Sequence, residues 1–319
     1  MTTEFGLIAK YFSRPSIRAV LGVGDDCALL PASTNCTAIS TDTLVEGVHF
    51  FADVDPTTLG QKALAVNLSD LAAMGATPRF FTLALTLPQA NDDWLAKFSN
   101  GLFLLADQFQ IELVGGDTTR GPLSITITVL GEVNGTEAIR RDGAKIGDDI
   151  WVSGQLGGAA LALRQLLGRE TRAVIDADLR ARLEVPQPRI ALGERLTAIA
   201  HAAIDVSDGL LADLTHIATK SALGATIECS KLPVHPALQR EDLVVQRACA
   251  LTGGDDYELC FTASVLHRDN IEQLEDELGL ALTRIGTMTA GPPRVCVFSH
   301  DGNELKFSAT GFDHFSRQL

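Results

Sequence analysis

The sequence predicts a two-domain protein of mixed α and β structure, α+β shading into α/β. Three observations carry this expectation. The chain has 319 residues, about twice a usual domain length of roughly 150. Its hydrophobic content is 46% with aromatics at only 6%, enough to fill two cores built mainly from Ala, Leu, Ile and Val. Runs with β-branched alternation interleave, in both halves, with segments whose apolar residues recur at helical spacing.

In the first half, strands are expected at 37–40, at 80–87, around Val114 and at 124–133, where Ser-Ile-Thr-Ile-Thr-Val alternates across two faces. Helices are expected at 57–74, opening at Asp55-Pro56, and at 92–109, opening at Asn91-Asp92. A break rich in glycine and charge at 143–149 precedes a strand at 150–152. It sets a domain boundary near residue 140, giving domains 1–140 and 141–319. The second half then reads as helices at 157–167, 188–200 and 210–221, with strands at 203–206, 225–228, 258–262 and 295–298. A polar stretch occupies 169–180.

The formal charge of −14 and pI near 4.9 argue against nucleic-acid or anionic-membrane partners, which need a basic patch. Six cysteines show no C-x-x-C spacing and read as buried thiols of a reducing compartment. The start Met1-Thr2-Thr3-Glu4-Phe5 lacks a basic segment followed by an apolar core, and no apolar run approaches the roughly 18 residues of a membrane span. A cytoplasmic protein is the expectation.

Six short acidic knots punctuate this frame: Gly24-Asp25-Asp26, Ser40-Thr41-Asp42-Thr43, Asn67-Leu68-Ser69-Asp70, Gly115-Gly116-Asp117-Thr118, Asp205-Val206-Ser207-Asp208-Gly209 and Gly253-Gly254-Asp255-Asp256. Hard oxygen donors on tight turns suit Mg²⁺, which takes carboxylates together with water and substrate phosphates. Each knot also has a plainer reading. Gly22-Val23-Gly24-Asp25-Asp26 reads as a turn or as a metal site, since two adjacent Asp repel unless a cation is near. Ser40–Thr43 reads as a strand-end cap or as a second oxygen cluster with Asp42 bridging. His49, flanked by apolar residues, reads as a core histidine or a ligand. Asn67 and Asp70 share a face of an otherwise apolar helix, where an unpartnered carboxylate would be costly. Gly115–Thr119 is expected as a loop after a strand, placing glycine backbone against a phosphate. Ser207 or Asp208 is expected to cap the helix opening at Leu210, leaving Asp205 for metal. A P-loop G-x-x-x-x-G-K-[ST] and a G-x-S-x-G elbow are both missing from the sequence.

Taken in order, these motifs resemble the thiamine-monophosphate kinase family, within the superfamily of aminoimidazole ribonucleotide synthetase and selenophosphate synthetase. The resemblance runs nearly end to end. Its most specific stretches are 67–74 and 116–122. It implies that Asp26, Ser40, Thr41, Asp42, Asp70, Asp117, Asp205 and Asp208 bind metal. It implies that Gly116, Asp117, Arg141 and Ser207 contact ATP, and that His49, Asp255 and Phe312 hold the thiamine moiety. Asp255 stands where the family often has Glu, and Phe312 where Trp or Tyr also occurs. The resemblance further implies a homodimer whose N-terminal sheets join into a barrel, with Asp42, Asp70, Asp117 and Arg141 central to catalysis. The expected reaction is ATP-dependent phosphorylation of thiamine monophosphate assisted by several Mg²⁺ ions. Two alternatives stand beside it: another ATP-using enzyme of the superfamily, or a non-catalytic divalent-metal-binding protein.

Overall fold

The computed structural model describes residues 4–24, 27–168, 177–307 and 311–312. Contacts divide the chain into two units: residues up to 71 with 76–136, and residues 72–75 with those from 137 onward. Both combine mixed sheets with helices.

The first unit opens with α1 (Glu4–Leu7) and a helical turn Ile8–Phe12. Four strands and two long helices follow: β1 (Cys36–Val45), α2 (Pro56–Ala73), β2 (Thr77–Leu87), α3 (Asp92–Gln108), β3 (Glu112–Arg120) and β4 (Ser124–Val133). Asn91 caps α3 as expected, its Oδ1 accepting from Trp94 N at 3.1 Å. The sheet runs β1-β4-β2-β3. Only the β2/β3 pair is parallel, joined through α3, as a crossover helix requires. Ile125, Ile127 and Val129 of β4 and Leu83, Leu85 and Leu87 of β2 bury one face. The other face carries threonine pairs, Thr41 with Thr128 and Thr43 with Thr126, each at 2.8 Å between hydroxyls. α2 and α3 meet at backbone distance. A Cβ on Gly60 would stand 2.2 Å from Phe98 O, and one on Gly101 1.9 Å from Thr57 O.

Two expectations change here. Residues 40–43 lie inside β1, not at a strand end, because the ladder to β4 continues through Val45. Residues 115–118 lie inside β3 and form no loop. Gly116 is demanded by strand pairing: its φ is +147°, and a Cβ would fall 1.9 Å from Leu83 O.

The second unit contains β5 (Asp149–Ser153), α4 (Gly158–Leu166), α5 (Ala177–Glu184), α6 (Ile190–Leu196), β6 (Ala200–Asp205), α7 (Leu210–Lys220), β7 (Gly224–Glu228), α8 (Leu243–Thr252), β8 (Leu259–Ala263), α9 (Arg268–Leu278), β9 (Leu282–Thr289), β10 (Val295–Phe298) and β11 (Glu304–Leu305). Its sheet order is β11-β10-β7-β9-β5-β8-β6. α7 packs Leu210, Leu214 and Ile217 into a core shared with Ile150, Ile204 and Ile227. The helix at 177–184 occupies part of the expected polar stretch, whose residues 169–176 lie outside the described ones. Among the described residues no helix is long and apolar enough to cross a membrane.

Candidate active site

In the first unit, α2 lies along β1 and brings two of the acidic knots together. The inner face of β1 carries Ser40 and Asp42, two residues apart and therefore on one side of the strand. Ser40 Oγ donates to Asp70 Oδ2 at 2.5 Å. One helical turn earlier, Asn67 Oδ1 accepts from Asp42 N at 3.0 Å, while its Nδ2 donates to Ala63 O at 3.0 Å. Asn67 is 1% exposed, so the edge-strand amide of Asp42, outside the ladder, is satisfied by a helix side chain. Further along the same groove, His49 Nδ1 accepts from Val45 N at 3.0 Å, which leaves the ring proton on Nε2. The buried Lys62 ammonium stands 3.5 Å from His49 O.

Strand register separates Asp117 from this cluster. Asp42 is level with Ile127, Ile127 with Leu83, and Leu83 with Gly116. The next row reads Thr43, Thr126, Ala84 and Asp117. Rows alternate faces, so Asp117 shares the threonine face while Asp42 and Ser40 share the helix face. Three strand spacings also separate β1 from β3, about 14 Å. Thr41 points to the threonine face with its hydroxyl on Thr128. Asp26 lies outside the described residues.

In the second unit, the turn after β6 is a hub. Asp205 ends the strand and is 4% exposed. Ser207 O accepts from Asp255 N at 2.9 Å, and Asp208 O accepts from Phe312 N at 3.0 Å. The backbones of Asp205, Ser207, Asp208, Asp255 and Phe312 are thereby joined. Neither Ser207 nor Asp208 caps α7. The turn is closed instead from inside the helix, where Asp213 Oδ2 accepts from the amides of Ser207, Asp208 and Gly209 at 3.1, 3.2 and 3.0 Å. Burial and then the neighbouring Asp208 charge push the Asp213 carboxyl up to about 7, against the pull of those amides. Arg141 stands elsewhere in this unit. Arg140 bridges to Ala202 near the start of β6, and Arg141 O accepts from Ser221 Oγ just beyond the end of α7. An 11-residue helix is about 16 Å long, so the Arg141 backbone lies at the opposite end of α7 from Ser207.

Sequence reasoning noted Asn67 and Asp256 without a role and passed over Asp213. Burial beside backbone amides marks all three, and no local spacing reveals it. Among the described residues no three His, Cys, Asp or Glu groups form a ready metal cage. The donor set of a hydroxyl and two carboxylates on β1 and α2 nevertheless suits Mg²⁺, which keeps several waters and takes one or two carboxylates.

Residues 24–133 match the family model of the AIR synthase related protein N-terminal domain, and residues 145–297 match that of its C-terminal domain. The chain is 48% identical over 321 residues to a thiamine-monophosphate kinase of Escherichia coli O157:H7, covering 98% of each. A crystal structure of thiamine-monophosphate kinase from Stenotrophomonas maltophilia K279a shares 50% identity at a TM-score of 0.84, covering 94% of this chain and 95% of that one. The structure described as AaThiL complexed with AMPPCP and TMP shares 29% identity at a TM-score of 0.77, covering 98% and 97%. With sheets, knots and nearly full-length matches in agreement, the chain belongs to the thiamine-monophosphate kinase family of the AIR synthase related proteins.

Proposed function

We propose that this protein transfers the γ-phosphoryl group of ATP to the phosphate of thiamine monophosphate, giving thiamine diphosphate and ADP. The observation that carries the reading is the β1/α2 groove, where Ser40, Asp42 and Asp70 gather hard oxygens in a chain 48% identical to such a kinase. An acceptor phosphate oxygen attacks the γ-phosphorus as the bond to the β,γ-bridging oxygen breaks. The acceptor's second pKa is about 6, so it is already ionised near neutral pH and needs no general base.

Charge is the obstacle. Two unit charges about 4 Å apart repel by roughly 4 kcal/mol at an effective dielectric of 20, and both substrates are polyanions. Several Mg²⁺ ions would neutralise and align the phosphates for in-line transfer. Asp26, Ser40, Thr41, Asp42, Asp70, Asp117, Asp205 and Asp208 are the residues assigned to hold them. Gly116, Asp117, Arg141 and Ser207 are assigned to ATP, and His49, Asp255 and Phe312 to thiamine. The N-terminal domain, 1–140, would bind nucleotide and metal, and 141–319 would complete the site.

The same reading includes a homodimer. Asp117 and Asp42 occupy opposite edges and opposite faces of one sheet, so a single unit leaves Asp117 apart from the groove. Edge-to-edge closure of two such sheets would set β3 of a second copy beside β1, next to Thr41. The test is ADP release with thiamine monophosphate against a panel of other phosphate acceptors. Mixing and reannealing the inactive D42N and D117N proteins should then restore about a quarter of wild-type activity, because half the dimers carry one intact site of two. No release with thiamine monophosphate sinks the kinase; no restoration sinks the shared site.

A further inference from the structure

We propose that Asp256 is a positioning residue for Asp255: by gripping amides at the start of α4, it fixes the turn that presents the Asp255 carboxylate. The inference rests on the reading of Asp255 as a thiamine contact. Its starting point is backbone strain. Asp255 has φ +67° and Tyr257 φ +49°, left-handed conformations that cost an L-residue roughly 1–2 kcal/mol each. Asp tolerates this region; Tyr does not. Two such residues flanking one position persist only where the surroundings hold them.

The holding contacts are specific. On one side, Asp255 N donates to Ser207 O and Tyr257 N to Val206 O, both at 2.9 Å, and Val206 N donates to Glu258 O at 2.8 Å. On the other side stands the Asp256 side chain, whose two oxygens accept from Gly157 N at 3.0 and 2.8 Å, with Ala159 N as a further donor. The donor cannot retreat. Gly157 has φ +80°, and a Cβ there would meet Leu238 Cδ1 at 2.8 Å and Ala250 N at 2.9 Å. Gly254 presses as closely on the hub, where a Cβ would stand 2.2 Å from Ser207 O. The residue keeps some exposed surface while its carboxyl group is enclosed, and burial pushes that group well above the ordinary carboxylate range against the pull of the amides. A carboxylate enclosed beside a helix start and between two strained residues joins α4 to the turn. Without that grip, Asp255 can relax to negative φ, and its carboxylate swings away from the place the hub defines.

The test uses the full chain and steady-state kinetics with each substrate varied. D256A should raise KM for thiamine monophosphate about tenfold while KM for ATP stays within about twofold. D256N, whose amide oxygen still accepts from Gly157 and Ala159, should return to within about threefold of wild type. In a D255A background, D256A should add less than about twofold, because it acts through Asp255. If D256A does not fold, D256S, which cannot span both amides, takes its place in the same cycle. An unchanged KM for thiamine monophosphate, an equal rise in both KM values, or a full tenfold effect without Asp255 each overturns the proposal. A wild type that turns over no thiamine monophosphate removes the functional reading itself; an active wild type with an unaltered D256A removes only this inference.

Discussion

In the N-terminal unit Ser40, Asp42 and Asp70 are side chains carried on a regular strand and helix, while Asn67 reaches across to the Asp42 amide. In the C-terminal unit the polar groups belong to turns whose own side chains and amides make the backbone what it is. Ser40, Asp42 and Asp70 could change identity while β1 and α2 stay in place. Asp213 and Asp256 are tied to the backbone itself, since each accepts from amides of the turn it closes. The difference teaches that chemistry and folding are separable in one unit and fused in the other.

The largest expected effect lies in the first. D42N or D70N should lower kcat by about 10³-fold or more while the melting temperature moves by no more than about 2 °C. A melting loss as large as the activity loss would erase the contrast. Gly116 is the exception that sharpens it. G116A should cost about 3 kcal/mol in denaturant unfolding, because Leu83 O occupies the place of the new methyl. In the C-terminal unit, D213A should lose activity and about 2 kcal/mol together, by stranding three amides of the hub turn. Stability unchanged with activity gone would move Asp213 into the separable class.

The smallest effect is a control at the opposite end of the second sheet from the hub turn. Asp149 is 2% exposed and accepts from Arg268 at 2.6 and 2.9 Å and from Arg284 at 3.4 Å. Burial raises its pKa, but the two guanidinium groups outweigh that and hold it below the ordinary range. A depressed pKa gives stability that is complete above the unfolded value of about 3.9 and is lost as pH falls through the folded one. The Arg268 side chain is 42% exposed, so solvent screening limits the gain to about 1 kcal/mol. D149N should therefore be less stable by that amount between pH 5 and 7, with the gap closing below about pH 4. A gap that widens in acid would reverse the sign.

Local signals were legible in the sequence. The alternation at 124–133 marks β4 to the residue, and Asn91 announces α3 through a cap it can make alone. Non-local ones were not. The Ser40–Thr43 knot resembles a strand end because its continuation is set by the partner strand, whose Thr126 and Thr128 meet Thr43 and Thr41. Gly115-Gly116 resembles a loop because glycine at a crowded ladder position looks the same in sequence as glycine in a turn. α9 was a local signal that went unread, since Ile271, Leu274 and Leu278 recur at helical spacing. The part that side chains play in holding the hub turn and the turn at Asp255 was not legible either. Asp213 and Asp256 act on amides that come close only once the chain has folded.

The glycine crossing of α2 and α3 has a consequence for motion. Where two helices touch main chain to main chain, neither can roll without lifting the other, because no flexible side chain lies between them to absorb the turn. Asn67 and Asp70 sit two and three turns further along a rod pinned in this way. Amide hydrogens of the α2 segment should accordingly be among the slowest in the unit to exchange with solvent deuterium.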